Sequence, residues 1–275
     1  MPELPEVETL RRELSEALLE KAVFRGLQLL RPDLRDPIPK KKIETLRGQK
    51  LVGVRRRAKY LLFDFETGSL ISHLGMTGSW RKLARGERPD KKAHDHLVLD
   101  LGKDLQFAFR DPRRFGILDF HAGLDIERHK RFKHLGPEPL DPLLTAELFW
   151  ARLRGGKSMI KTHIMNQKVV VGVGNIYASE ALFRAGISPR RRAGKVTSRE
   201  ASKLLTEIRI ILEAAIRAGG STIRDYRSLS QGEGGFQNQH LVYGRDLSPC
   251  PNCHTPIRQA VIGGRSSYWC PHCQH

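Results

Sequence analysis

The sequence predicts an α+β protein: a helix at the N-terminus, a β-sandwich or barrel behind it, a helical second part, and a small cysteine-held hairpin at the end. Three observations carry this. Apolar residues first recur every three or four positions, and from 22 to 121 they run in β-branched and aromatic stretches between tight turns. After a proline-rich stretch at 135–142 the spacing becomes helical again. All 4 cysteines lie in the last 26 of 275 residues, so they hold one local structure and not the whole chain.

The chain opens MPELPE. Pro5 suits a first helical turn, where a missing N–H goes unnoticed, and Glu3 and Glu6 suit the positive end of the helix dipole. Val7, Leu10, Leu14 and Leu18 supply the apolar stripe behind them, while Pro2 is left unexplained. Leu51 to Phe65 and Leu70 to Met76 flank the turn 66–69, and His96 to Leu101 and Leu105 to Phe109 flank 102–104, which predicts two hairpins. Residues 135–142, LGPEPLDP, read as a linker. Short helices follow at Thr145 to Arg154 and Ser158 to Met165, and a third, capped by Asn175, runs to Arg184 and stops at Gly186. The capping box Thr197-Ser-Arg-Glu200 starts a longer helix carrying Leu204, Leu205, Ile208, Ile211, Leu212 and Ala215 to Gly219-Gly220. Residues 219–240 then form a glycine-rich loop without periodicity, and loops of that length are usually functional or disordered.

The formal charge is +18 and unevenly placed: residues 1–150 hold 29 Lys+Arg against 23 Asp+Glu, residues 151–275 hold 19 against 7. That balance favours a polyanionic partner, nucleic acid above all, though ribosomal and membrane-surface proteins share it. No apolar run reaches the roughly 20 residues of a membrane span, and the acidic N-terminus is unlike a signal peptide. A soluble intracellular protein with reduced thiols is expected.

Cys250-x-x-Cys253 and Cys270-x-x-Cys273, with sixteen residues between the pairs, match a closed tetrahedral site for one structural Zn2+. Between the pairs the chain reads as a hairpin turning at Gly263-Gly264 with Arg265 at its tip, either a solvated turn charge or an arginine aimed at phosphate. His254, His272 and His275 are read as bystanders. VVVGVGNIYASE fails as a dinucleotide fingerprint because Tyr177 stands where a small third residue belongs. It reads either as a plain turn between helices or as an anion site of backbone N–H groups and the Asn175 amide. DPRRFG (111–116) and HLGM (73–76) are each ordinarily structural, but together they offer apolar and cationic side chains to stacked bases, as base-flipping proteins require. Removal of Met1 would make Pro2 a secondary amine, less basic than lysine and so more nucleophilic at neutral pH. Its iminium with a sugar C1′ has no N–H proton to lose and persists as an electron sink, with Glu3 beside it for proton transfer.

Taken together, MPELPEVET, RRRAKYLL, HLGMTGS, DPRRFG, KVVVGVGNIYASEALF, GGSTIRDY and GGRSSYWCPHCQ make the chain closely resemble formamidopyrimidine-DNA glycosylases, in family order from residue 1 to 274. The resemblance implies an N-terminal β-sandwich catalytic domain (1–134), the linker 135–142, and a helix-two-turns-helix domain (143–240) whose loop 219–240 recognises the lesion. A four-Cys zinc finger (241–275) completes the chain, with damaged double-stranded DNA in the cleft between the domains. It implies a bifunctional enzyme that removes oxidised purines and then cleaves the strand by β,δ-elimination. Pro2 is then the nucleophile, Glu3 the proton donor and acceptor, and Lys59 works near the lesion and its phosphates. Met76, Arg113 and Phe115 fill the gap left by the everted nucleotide. Asn175 and Arg265 grip flanking phosphates, Arg265 also counting with the catalytic set, and His73 and Lys161 join the DNA-binding residues. Glu6 matches a glutamate beside the active site or simply serves the first helical turn. The family often has an acidic residue where this chain has Asn166, which can hydrogen-bond in much the same way. A monomer in the bacterial cytoplasm is expected. Two rivals stand beside this reading. An endonuclease VIII-like enzyme for oxidised pyrimidines usually has glycine in place of Leu4, and a non-catalytic zinc protein would only bind DNA.

Overall fold

The computed structural model describes residues 2–18, 22–102, 104–221, 229 and 234–275. They divide into two compact units, Met1–Lys133 with Ala218–Gly235, and His134–Arg217 with Phe236–His275.

In the first unit α1 (Leu4–Leu18) buries Val7, Leu10, Leu14 and Leu18, as the spacing requires. Strand β1 (Gly26–Leu29) and a short helix α2 (Lys40–Ile43) lead into β2 (Leu51–Arg57), β3 (Tyr60–Phe65), β4 (Gly68–His73), β5 (Ser79–Lys82), β6 (Asp95–Asp100), β7 (Gln106–Arg110) and β8 (Ile117–Ala122). The strands form two four-stranded antiparallel sheets, ordered β1-β6-β7-β5 and β2-β3-β4-β8. Phe63, Phe65, Leu70 and Leu118 of one meet Trp80, Leu97, Leu99, Phe107 and Phe109 of the other, and the α1 stripe joins the same core. This is a sandwich and not a barrel. Trp80 packs edge-on between Phe63 and Phe109, with ring centroids 5.9 and 5.0 Å away, contacts worth about 0.5–1.5 kcal/mol each beyond area burial. Its buried indole N–H donates to Ser72 Oγ at 3.0 Å.

The run Leu51 to Phe65 is two strands. The chain reverses at Ala58-Lys59, with Ala58 at φ +55°, and β2 pairs back on β3. Arg-Ala-Lys carries none of the Gly, Asn or Asp that mark tight hairpins, so the turn is silent in the sequence.

In the second unit α3 (Ala146–Leu153) starts at Thr145, whose Oγ1 accepts from Leu148 N at 3.3 Å. Helices α4 (Ile160–Ile164), α5 (Asn175–Ala185) and α6 (Ser198–Arg217) follow. The capping box is formed: Glu200 N donates to Thr197 Oγ1 at 3.3 Å and Thr197 N to Glu200 Oε2 at 2.8 Å. The cap of α5 is Gly174 and not Asn175, which becomes the first helical residue with its amide free for other partners. Gly186 ends α5 in the left-handed region at φ +76°. The proline-rich stretch is laid against this unit: Gly136 N donates to Gln167 O, and Arg209 of α6 donates to the carbonyls of Pro139, Asp141 and Leu144. Strands β9 (Arg258–Ile262) and β10 (Arg265–Trp269) form the expected hairpin, Gly263 and Gly264 turning it at positive φ. The hairpin region packs on α5 through Phe183, Val242, Cys250, Ile257 and Cys270.

Candidate functional site

In the first unit the N-terminal residues are held by a buried carboxylate. Pro2 and Glu3 are buried. Glu6, also buried, accepts from the Glu3 N–H through Oε2 and from the Ser221 N–H through Oε1, both at 2.8 Å. A side chain on Gly220 would come within 2.9 Å of the same Oε1, so the glycine lets the 219–221 backbone approach. The first-turn position of Glu6 in the sequence showed a helix acid and concealed this bridge to a segment 215 residues away. The remainder of the expected lesion-recognition loop, at 222–228 and 230–233, lies outside the described residues.

Lys59 sits on the β2–β3 turn and is buried. His73, at the end of β4, accepts the Gly75 N–H on Nδ1 at 2.9 Å, which leaves the proton on Nε2. Burial first, then Lys59, Arg35 and Arg131, holds its pKa down to about 3, so the ring is a neutral hydrogen-bond donor and not a cation. Met76 is half-buried just beyond, while Arg113 and Phe115 are exposed on the β7–β8 turn, the guanidinium 4.8 Å above the Phe115 ring.

In the second unit Asn175 and Lys161 are joined. The Lys161 ammonium, in a residue only 1% exposed, donates to Asn175 Oδ1 at 2.5 Å, Ser267 Oγ at 2.6 Å and Ser266 O at 3.1 Å. Asn175 Nδ2 donates to Ser266 O at 2.9 Å, with the Tyr243 hydroxyl at 3.4 Å. Lys161 therefore stands behind Asn175 and ties it to the β10 backbone next to the exposed Arg265. Tyr243 was not legible as part of this group. It is placed by Glu180, whose buried carboxylate accepts from the N–H groups of Leu241, Val242 and Tyr243 at 2.9, 2.9 and 2.7 Å. Asn166 Oδ1 accepts from Lys168 N at 3.0 Å, the local bond expected of an asparagine there.

The four sulfurs of Cys250, Cys253, Cys270 and Cys273 lie within 4.8 Å of one another. The separations Cys250–Cys273, Cys253–Cys270 and Cys253–Cys273 are 3.9, 3.5 and 3.4 Å, against about 3.8 Å for sulfurs bonded tetrahedrally to zinc at 2.3 Å. Backbone N–H groups of Asn252 and Cys273 point at Cys250 Sγ and Cys270 Sγ, both at 3.4 Å, as suits thiolates. The donor set fits one Zn2+, held by the four cysteines in a purely structural role.

Comparison with known proteins extends this geometry. Residues 1–118 match the formamidopyrimidine-DNA glycosylase N-terminal domain, 135–227 the H2TH domain of the same enzymes, and 248–275 the zinc finger found in FPG and IleRS. A formamidopyrimidine-DNA glycosylase of Bdellovibrio bacteriovorus is 49% identical over 274 residues, covering 100% of both chains. The chain belongs to the formamidopyrimidine-DNA glycosylase family. A member from Stenotrophomonas maltophilia is 48% identical over the same length. Among solved structures, the MutM (FPG) protein of Thermus thermophilus superposes with a TM-score of 0.88 at 38% identity, covering 99% of this chain and 98% of that one. The Lactococcus lactis Fpg bound to DNA containing an abasic site gives a TM-score of 0.88 at 33% identity, covering 99% of each chain. Formamidopyrimidine-DNA glycosylases thus share the entire architecture of this chain, the cysteine-held hairpin included.

Proposed function

We propose that this protein is a base-excision-repair enzyme that removes oxidised purines from double-stranded DNA and cleaves the strand at the resulting abasic site. The observation that supports it best is full-length similarity, at nearly half identity, to formamidopyrimidine-DNA glycosylases, joined to a buried N-terminal Pro2-Glu3 pair. With Met1 removed, the Pro2 nitrogen attacks C1′ of the damaged nucleotide, the C1′–N bond to the base breaks, and an iminium forms between Pro2 and the sugar. Glu3 transfers the protons that open the sugar ring and that accompany the two eliminations. Glu6 keeps the Glu3 backbone in register through its N–H. Burial strengthens these charge interactions by excluding water.

Lys59 and the neutral His73 serve the phosphates near the lesion, and Met76, Arg113 and Phe115 occupy the space vacated by the everted nucleotide. Asn175 and Arg265 grip the backbone phosphates, with Lys161 holding Asn175 in place and the zinc hairpin presenting Arg265. The partner is damaged duplex DNA, and the protein acts as a monomer in the bacterial cytoplasm. Among the described residues no helix is long and apolar enough to cross a membrane.

The test is an assay on duplexes carrying one defined lesion each. Excision of 8-oxoguanine and formamidopyrimidines with strand cleavage is expected. A preference for oxidised pyrimidines, or binding without cleavage, would overturn the reading.

A further inference from the structure

The two loops that carry Met76, Arg113 and Phe115 are fastened together by one buried carboxylate. Asp111 is 0% exposed. Its Oδ1 accepts from Thr77 Oγ1 at 2.5 Å and its Oδ2 from Gly116 N at 2.7 Å. The Thr77 hydroxyl, itself buried, accepts in turn from the Arg113 N–H at 3.2 Å. The Asp111 carbonyl accepts from His96 Nε2 at 2.8 Å and from Arg114 N at 3.1 Å, and the Asp111 N–H donates to His94 O at 3.1 Å. A carbonyl cannot donate, so His96 carries its proton on Nε2.

Backbone conformation shows how tightly the pieces are held. Gly75 is at φ +63°, and a Cβ there would lie 2.4 Å from the carbonyl carbon of Phe115. Arg114 adopts φ +57°, a left-handed conformation that a non-glycine residue keeps only where its surroundings impose it. Met76 and Phe115 are thus carried by backbone segments in direct contact. Asp111 presents both oxygens to donors, Thr77 on one side and Gly116 on the other. An amide there would turn its own N–H2 against one of them.

We propose that Asp111, relayed by Thr77, is a positioning residue that holds the gap-filling side chains assembled before DNA is engaged. This rests on the assignment of Met76, Arg113 and Phe115 as gap-fillers. Everting a nucleotide costs a few kcal/mol, and side chains already presented on a fixed backbone recover part of that without being ordered at the same moment. The Thr77 hydroxyl is the element that couples the loops, since from the segment after β4 it donates to Asp111 and accepts from Arg113, both on the β7–β8 turn.

The experiment compares the full chain with Thr77→Val, Thr77→Ser and Asp111→Asn on two duplexes, one with an intact lesion and one with a pre-formed abasic site. Valine keeps the shape of threonine and removes the hydroxyl. Thr77→Val is expected to lose about 10- to 100-fold on the intact lesion, the effect of unpairing buried polar groups, and less than about threefold on the abasic duplex. Discrimination among bases opposite the lesion should narrow, because Arg113 loses its tether, and Thr77→Ser should restore both properties. Asp111→Asn should follow Thr77→Val wherever it folds, judged by its melting temperature. A control with Met76, Arg113 and Phe115 all replaced by alanine separates the two layers. If the control shows the selective loss and Thr77→Val does not, the positioning role is overturned. If the control loses equally on both substrates, the gap-filling assignment fails, and the proposal with it.

Discussion

Replacing Lys161 by methionine separates a buried organiser from a direct phosphate contact. The ammonium donates to Asn175 Oδ1, Ser267 Oγ and Ser266 O, and methionine keeps the length of the side chain without any donor. Each hydrogen bond from a charged group is worth about 1.5–3 kcal/mol, but the three do not simply add. Removing the ammonium also removes its desolvation penalty, itself several kcal/mol. Ser266 O keeps the Asn175 Nδ2 donor, and the Ser267 hydroxyl keeps its bond to Arg265 O at 3.1 Å, so Asn175 Oδ1 bears most of the loss. A net destabilisation of about 2–4 kcal/mol in the second unit follows. Hydrogen exchange read by mass spectrometry should show faster exchange in peptides covering 160–164, 175–185 and 265–269, with the β-sandwich unaffected. DNA affinity should fall because Asn175 and the hairpin lose their mutual alignment. Unchanged protection, together with a salt slope of log K reduced by about 0.9, would mean that Lys161 touches a phosphate directly and that the burial argument is wrong.

Borohydride should trap the protein covalently on lesion DNA, since reduction turns the iminium into a stable amine, and peptide mapping should place the adduct on Pro2; an adduct on Lys59 would refute the assigned nucleophile. One zinc per chain is expected, and its removal by a chelator should weaken DNA binding while the β-sandwich stays folded, because the ligands lie in the last 26 residues. Arg265→Ala should mimic much of that loss and flatten the salt dependence, and an unchanged affinity and slope would remove the residue from the interface. Acid should destabilise the first unit through His73, whose pKa of about 3 in the fold stands against 6.5 when unfolded. The unfolded chain takes up the proton first, so this contribution is complete above the unfolded value and is lost as pH falls toward 3, by up to about 1.4 kcal/mol per unit. Urea titrations between pH 7 and 4.5 should show a shallower fall in His73→Gln; an identical slope would contradict the buried neutral ring.

The sequence by itself determined whatever depends on periodicity, local turn chemistry or fixed ligand spacing. The α1 stripe, the Thr197–Glu200 capping box, the Gly263-Gly264 hairpin and the paired Cys-x-x-Cys motifs are local, so a few neighbouring residues specify them. The residues of the candidate site were visible as motifs, yet what each one touches was not. Asp111 has no role of its own in the reading of the motif DPRRFG, and only the folded chain set Thr77 against it from 34 positions away. Glu6 looked like a helix-dipole acid, and its second oxygen found Ser221. The resemblance puts Lys161 among the DNA-binding residues, and folding buries it against Asn175 and β10. In each case the deciding partner is distant in sequence, and a buried polar group is driven to find one because leaving it unpaired costs more than any local preference can return. Tertiary structure therefore decided which charged residues stay exposed and which are buried to hold their neighbours in place.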